Sequence, residues 1–221
     1  MRVSPDEALC RERPRCVALY RQLLHGTREI TGVTDVAATN VLPLSGEVPS
    51  IPVETEGRPI APGTLAPLLW AGAVTPGYFH LLGIPVLEGR AIQESDGENT
   101  ELVAVVSAAT AKRFWPGESP IGRHLRPVWG DQPWRTVVGV VGDVRQYHMD
   151  AGLPDGIAGV IYMPYPQALG NDRQMSSSMT LLVRSTVDPL RVANEIRSLV
   201  AQTNPNVPVS NLQSMQAVVT S

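Results

Sequence analysis

Apolar positions recur along the chain with two different periods, and each change of period marks a new element. Cys16, Tyr20, Leu23, Leu24 and Ile30 stand at helical spacing, so residues 14–31 predict a helix that opens at Pro14 and stops at Gly32. Leu190, Ala193, Ile196, Leu199 and Val200 form a second helical face, entered through Asp188-Pro189 and ended by Asn204-Pro205. Ser4-Pro5-Asp6-Glu7 has the form of a capping box and predicts a short helix ahead of Pro14. Strand patterns fall at residues 33–38, 51–56, 68–74, 102–106, 121–128, 134–144, 161–165, 179–185 and 207–212. The unbroken apolar run at 102–106 predicts a strand covered on both faces, followed by a short helix at 108–115. The alternating run at 51–56 reads as an exposed strand, which Pro52 assigns to a sheet edge or a strand start. The strands at 121–128 and 134–144 predict a hairpin. Residues 149–159 and 170–178 read as mobile loops, and 214–219 as the start of a further helix.

The chain is organised around residues 73–90. Pro76 and Gly77 end one strand, Tyr78, Phe79, Leu81 and Leu82 make a single apolar helical turn, and Gly83 releases the chain into a strand at 84–87. Residues 59–87 contain no charged side chain and are long enough to cross a bilayer as one helix. Pro62, Pro67, Pro76 and Pro85 forbid that helix, because lipid cannot satisfy the broken backbone hydrogen bonds. The stretch is expected to lie in a packed core.

Strand, helix and strand recur at 14–56 and at 179–212. Right-handed crossovers in both copies would put two helices on one face of one sheet. The expected fold is α+β, with one subdomain built from residues 1–65 together with 179–221 and a mostly β lobe inserted at 66–178.

At 221 residues and 43% hydrophobic the chain can bury a core, while a net charge of -3 gives no general attraction to nucleic acid. Cys10 and Cys16 fit no zinc or redox spacing, and six residues apart on one helix they would not meet; they read as free thiols, with Pro14 leaving a bend and a disulfide open. Residues 1–16 lack the apolar core of a signal peptide, which predicts a cytosolic protein or one whose exporting segment has been cut away.

Candidate chemistry is sparse. His25, His80, His124 and His148 share no zinc spacing and read as isolated side chains. Glu94, Asp96, Glu98 and Glu101 form an acidic loop that reads as solvated, with a weak cation site as the sharper alternative. Trp115, Trp129 and Trp134 read as packing residues rather than a ligand groove. The glycines of 137–144 lack phosphate-loop spacing and mark a bulge or a close backbone approach. No serine or cysteine has an activating partner at a recognisable spacing. The sequence therefore predicts no catalytic, cofactor-binding or metal residue.

Four blocks occur in order: V-T-P-G-Y-F-H-L-L-G-I-P-V-L-E-G-R at 74–90, V-A-V-V-S-A-A-T-A-K-R-F-W-P-G-E-S-P-I-G-R at 103–123, W-R-T-V-V-G-V-V-G-D-V-R at 134–145 and V-I-Y-M-P-Y at 160–165. With D-P-L-R-V-A-N-E-I-R at 188–197 and N-P-N-V-P-V at 204–209, they resemble the extracytoplasmic core domain of MacB-type ABC transporter permeases, most closely the duplicated orphan permeases. The resemblance runs from about Tyr20 onward. It implies a porter-like α+β subdomain with an inserted β lobe, held on the periplasmic side of the cell inner membrane. It implies as partners the flanking transmembrane helices, a cytoplasmic ATP-binding subunit or domain, a second permease copy and an adaptor protein, but no nucleic acid. Such domains couple ATP-driven helix movement to export or force transmission and carry no catalytic residues; a ligand- or protein-binding module without transduction is the alternative.

Overall fold

The structure, a computed structural model, describes residues 1–44, 49–129, 132–144, 156–168, 177–215 and 217. In chain order its elements are β1 (Arg2–Val3), α1 (Glu7–Arg11), α2 (Arg13–Arg28), β2 (Val33–Thr39), β3 (Ser50–Thr55), β4 (Leu68–Val74), α3 (Tyr78–Leu81) and β5 (Val86–Gly89). There follow β6 (Val103–Ser107), α4 (Ala108–Phe114), β7 (His124–Pro127), β8 (Arg135–Val141), β9 (Ile157–Pro164), α5 (Tyr165–Ala168), β10 (Met179–Ser185), α6 (Pro189–Thr203) and β11 (Val209–Ser210). The fold is α+β.

The N-terminal helices correct two expectations. The cap of α1 is Asp6 rather than Ser4; its carboxylate accepts from the Leu9 N–H at 2.7 Å. At Glu12 the backbone leaves helical geometry (φ -91, ψ 86) before α2 begins, so Cys10 and Cys16 stand on two helices instead of one. Their Cα atoms are 4.7 Å apart and the sulfurs are bonded: the pair is a buried disulfide, not two free thiols.

The strand order β11-β1-β10-β2 makes one part of the sheet, with β10 antiparallel to β2 from Thr180↔Thr39 to Arg184↔Asp35. Helices α2 and α6 cover one face. Tyr20, Leu23 and Leu24 of α2 and Val192, Ile196 and Val200 of α6 meet Val36, Ala38, Met179 and Leu181 in a common core. Burying one such aliphatic side chain contributes about 1.5–3 kcal/mol. Gly26 is where the helices come closest, since a Cβ there would lie 2.8 Å from the Leu199 methyls.

The remaining strands close on themselves. β4 pairs with β3, β3 with β7, β7 with β8, β8 with β6, β6 with β9, and β9 returns to β4 in parallel. The β7–β8 hairpin and the fully covered β6 are as the pattern predicts. β3 differs. It is neither exposed nor at an edge: Ile51, Val53 and Thr55 are buried between β4 and β7. Pro52 is tolerated because the strand changes partner there. Its nitrogen faces the last rung toward β7, where its carbonyl still accepts from Val128 N at 3.0 Å. β9 begins at Ile157, four residues ahead of its apolar core, because Leu68↔Ile157 pairing extends it backwards. The expected loop at 170–178, the first part of that at 149–159, and most of the expected helix at 214–219 lie outside the described residues.

Residues 73–90 join the two parts. β2 and β4 share one register pair, Thr39↔Val74, and side chains lengthen the contact. Asn40 Oδ1 accepts from Ala73 N and Thr75 Oγ1 accepts from Ala38 N, both at 2.7 Å. Gly77 (φ +86) makes the left-handed turn into α3, a conformation open to glycine at little cost. α3 then buries Tyr78 and Phe79 against Ala37 and Leu182 on one side and Tyr162 of the ring on the other.

Candidate functional site

β1 and β11 are antiparallel neighbours, with Arg2↔Ser210 and Val3↔Val209, so Met1 and Asn211 lie at the same end of this strand pair. Tyr20 pins this edge from beneath. Its hydroxyl accepts from Met179 N at 3.1 Å and lies within donating distance of the Ser177 and Val3 carbonyls, at 2.6 and 3.1 Å. Burial holds its phenol well above the ordinary tyrosine range.

Beside β1 a cleft of about 1040 Å³ opens between the outer edge of β10, α6 and residues 211–215. Val183, Val192, Ala193 and Ile196 supply apolar wall, and Arg2 and Arg184 supply charge. Met1 lies at one end, its nitrogen donating to the Leu181 carbonyl at 3.2 Å. Arg184 donates to the Leu81 carbonyl at 2.7 Å and stands 3.9 Å from Asp35. The cleft is concave and of mixed character, with polar and apolar surface in comparable shares, which suits a binding site. Among the described lining residues no His, Cys, Asp or Glu stands beside its hydroxyls.

The residues singled out in the sequence lie apart from it. His25 is exposed near the end of α2, His80 is 3.7 Å from Asp35, and His124 contacts Glu56 at 2.7 Å. His148 lies outside the described residues. In the acidic loop, Asp96 is buried and holds Arg90 through two bonds of 2.8 and 2.9 Å, a pairing that raises the Arg90 pKa. Glu94 reaches Arg28 at 3.4 Å and Glu101 bonds the Thr136 hydroxyl. Glu94, Asp96 and Glu101 face separate partners, one oxygen of Glu98 is buried without a hydrogen-bond partner among the described residues, and among those residues no cluster suited to a metal ion forms. Trp115 packs on Phe114, Trp129 on the main core, and Trp134 lies 4.4 Å beneath the Arg126 guanidinium; none lines the cleft. Gly139 marks a close approach, for a Cβ there would strike the Arg90 carbonyl oxygen.

Sequence reasoning passed over Gln167. It is fully buried, accepts from Val103 N at 3.0 Å and donates to the Gly97 and Glu101 carbonyls at 3.1 and 3.0 Å. It thereby ties the acidic loop to the ring. A lone glutamine after a proline carries no local signal of this. Tyr20 did carry one, as the single aromatic on an aliphatic helical face.

Residues 18–199 match the family model described as the MacB-like periplasmic core domain. The chain belongs to this family. As a MacB-like periplasmic core domain it is assigned to the extracytoplasmic side of a permease, and among the described residues no helix is long and apolar enough to cross a membrane. Over 125 residues, 57% of the chain, it is 26% identical to the macrolide export ATP-binding/permease protein MacB of Aggregatibacter actinomycetemcomitans. The chain spans 17% of that relative's length. Its fold is similar to the periplasmic region of MacB from Actinobacillus actinomycetemcomitans: TM-score 0.60, 14% identity, covering 90% of this chain and 82% of the other. It is also similar to the extracellular domain of the noncanonic ABC-type transporter YknZ from Gram-positive bacteria: TM-score 0.57, 16% identity, covering 86% and 88%. These two solved structures are the periplasmic region of one MacB and the extracellular domain of an ABC-type transporter.

Proposed function

We propose that this MacB-like periplasmic core domain is a non-catalytic part of an ABC transporter permease of the inner membrane, and that it couples ATP-driven movement of flanking membrane helices to export or force transmission outside the membrane. The observation that supports this is the antiparallel pairing of β1 with β11, which puts the first and last strands side by side, where two flanking membrane helices could grip one end of the domain. Tilting those helices would tilt the whole body. The ATP-binding part, a second permease copy and an adaptor belong to the same proposal, as does membership of the duplicated orphan group. So does a division into a porter-like subdomain and an inserted lobe. In that proposal the first boundary, drawn from sequence at about residue 65, moves ahead of β3, whose partners β4 and β7 both lie in the insert.

The test uses the full permease in lipid vesicles with its ATP-binding part. Leu65, 97% exposed, is replaced in Leu65→Cys and labelled with a donor fluorophore, the native cysteines being bonded to each other. Energy transfer to acceptor lipids is expected to differ between nucleotide-free and ATP-bound states. An unchanged signal in a protein that hydrolyses ATP refutes transmission and leaves the binding-module reading, which the cleft beside β10 supports.

A further inference from the structure

We propose that the loop of residues 91–102 is a charged clasp on α2, closed when the Arg21 guanidinium takes the Glu98 carboxylate, and that this clasp selects how the ring sits against β2 and β10. It holds whether or not the domain transmits movement. The first support is the layout of the contacts between ring and sheet. Side chains alternate across the two strands, so Ala37 and Leu182 face α3, while Val36, Ala38 and Leu181 face α2 and α6. The ring therefore meets the sheet on both faces. On the α3 face the contact is apolar and aromatic. On the α2 face, Tyr165 and Ala168 of α5 join the core, and beyond them the contact is charged: Arg28 of α2 meets Glu94 of the loop at 3.4 Å. Arg21 lies two turns earlier on the same side of that helix.

The second support is one oxygen atom. The loop is held in a single shape: Asp96 accepts from Gln93 N at 2.8 Å and grips Arg90, while Gln167 of α5 donates to the Gly97 and Glu101 carbonyls. On that frame Glu98 Oε1 is buried and has no hydrogen-bond partner among the described residues, a costly state for a carboxylate. Arg21 is the cation of α2 on this side. Burial pushes the Tyr165 phenol up, the Arg21 charge opposes that, and Glu94 and Glu98 reinforce it, so one hydroxyl feels all three charges. The Arg21 side chain is exposed, and a guanidinium carries five N–H donors, enough for Tyr165 and Glu98 together. An exposed arginine across a tyrosine from a buried, unbonded carboxylate oxygen is a clasp left ajar. The apolar face is packed and admits discrete arrangements, between which the clasp chooses.

The test places spin labels on the whole chain at Lys112→Cys of α4 and Ala201→Cys of α6, both exposed, the native cysteines being bonded to each other. Pulsed dipolar spectroscopy reads the separation of ring and sheet. Raising ionic strength from about 0.02 to about 0.5 M screens the clasp and is expected to change the ratio of two separations by about two- to fivefold, the effect of one surface ion pair. Glu98→Gln and Arg21→Gln are each expected to give the high-salt distribution already at low salt, and the exchange Arg21→Glu with Glu98→Arg to restore the closed one. In the unsubstituted protein the Arg21 Nε–H should exchange with solvent more slowly at low salt than at high; this readout needs no variant and stands if one fails to fold. One distribution under every condition overturns the proposal. A salt response that Glu98→Gln leaves intact also overturns it, since the charge at work would then be another. So does Arg21 Nε–H exchange that ignores salt.

Discussion

Reducing the Cys10–Cys16 bond tests how much of the fold the N-terminal hairpin holds. The bond closes a loop of roughly seven residues, for which the chain-entropy relation gives about 8 cal/mol/K, or about 2.4 kcal/mol at 25 °C. Both side chains are already buried, at 6% and 0% exposure, so the reduced thiols keep their packing and the loss is that of the constraint. For a chain of 221 residues, 1 kcal/mol moves the midpoint of thermal unfolding by about 2–4 °C, so reduction is expected to lower it by about 5–10 °C. Calorimetric scans of oxidised protein and of protein held in a phosphine reductant make the comparison, and the double variant Cys10→Ser, Cys16→Ser should melt close to the reduced form. Thiol titration of the unfolded, unreduced protein should find no free thiol. A midpoint that moves by less than about 1 °C on full reduction, or two free thiols in protein recovered from an oxidising compartment, would refute the reasoning.

Gln167→Ala strands the Val103 N–H and the Gly97 and Glu101 carbonyls, and is expected to cost about 2–4 kcal/mol in denaturant unfolding. Gln167→Glu should cost more, because it turns a carboxylate toward those two carbonyls; a milder effect than Ala would contradict the assigned amide orientation. Thr75→Val leaves the buried Ala38 N–H without its acceptor and should cost about 1–3 kcal/mol, with faster amide exchange at Ala38 as the local sign. Burial raises the phenol pKa of Tyr20, Tyr78 and Tyr165, so their contribution to stability is present below about pH 10 and is lost as the pH rises through that unfolded value toward the folded ones. The melting midpoint should fall steeply above about pH 10, and Tyr20→Phe, less stable at neutral pH, should fall less steeply; parallel curves would exclude Tyr20 from the effect.

Local signals in the sequence located most elements. β6 was legible because four successive buried positions, Val103 to Val106, leave an unbroken apolar run, and α6 because Asp188 caps it by accepting from Leu190 N at 2.9 Å while proline fixes its first turn. The hairpin of β7 and β8 followed from two strand patterns across a short loop. What stayed illegible is long-range. The parallel pairs β4–β9 and β6–β8 close the ring, yet no residue in any of these strands announces its partner. β3 carries a proline that signals an edge, and only its change of partner at residue 52 reconciles that with an interior place. The disulfide stayed only an open alternative because spacing along one helix spoke against it, although Pro14, in the first turn of α2, marked the break between the two helices. Of the cleft, the sequence held the α6 face but neither Arg2 nor the pairing of β1 with β10, since a strand's partner is not written in its own pattern.

The joint between the two parts bears on how movement could pass through the domain. A hinge would show a single extended connection with few side-chain contacts. Here the one-pair contact of β2 with β4 is reinforced at both ends by Asn40 and Thr75, and α3 wedges beside it. Phe79 meets Tyr162 edge-on at 5.0 Å and Tyr78 meets Phe79 at 5.3 Å, while Arg184 of β10 holds the Leu81 carbonyl. Rotation of one part against the other would break aromatic contacts worth about 0.5–1.5 kcal/mol each and strand two main-chain N–H donors, that of Ala38 buried and that of Ala73 partly buried. The resistance is therefore that of a packed core, which switches between discrete arrangements rather than bending. Under the proposed function the two parts then tilt together when the helices beside β1 and β11 move, and the far end of the ring travels furthest. Residues 73–90 matter because they keep that distance from being lost in flexure.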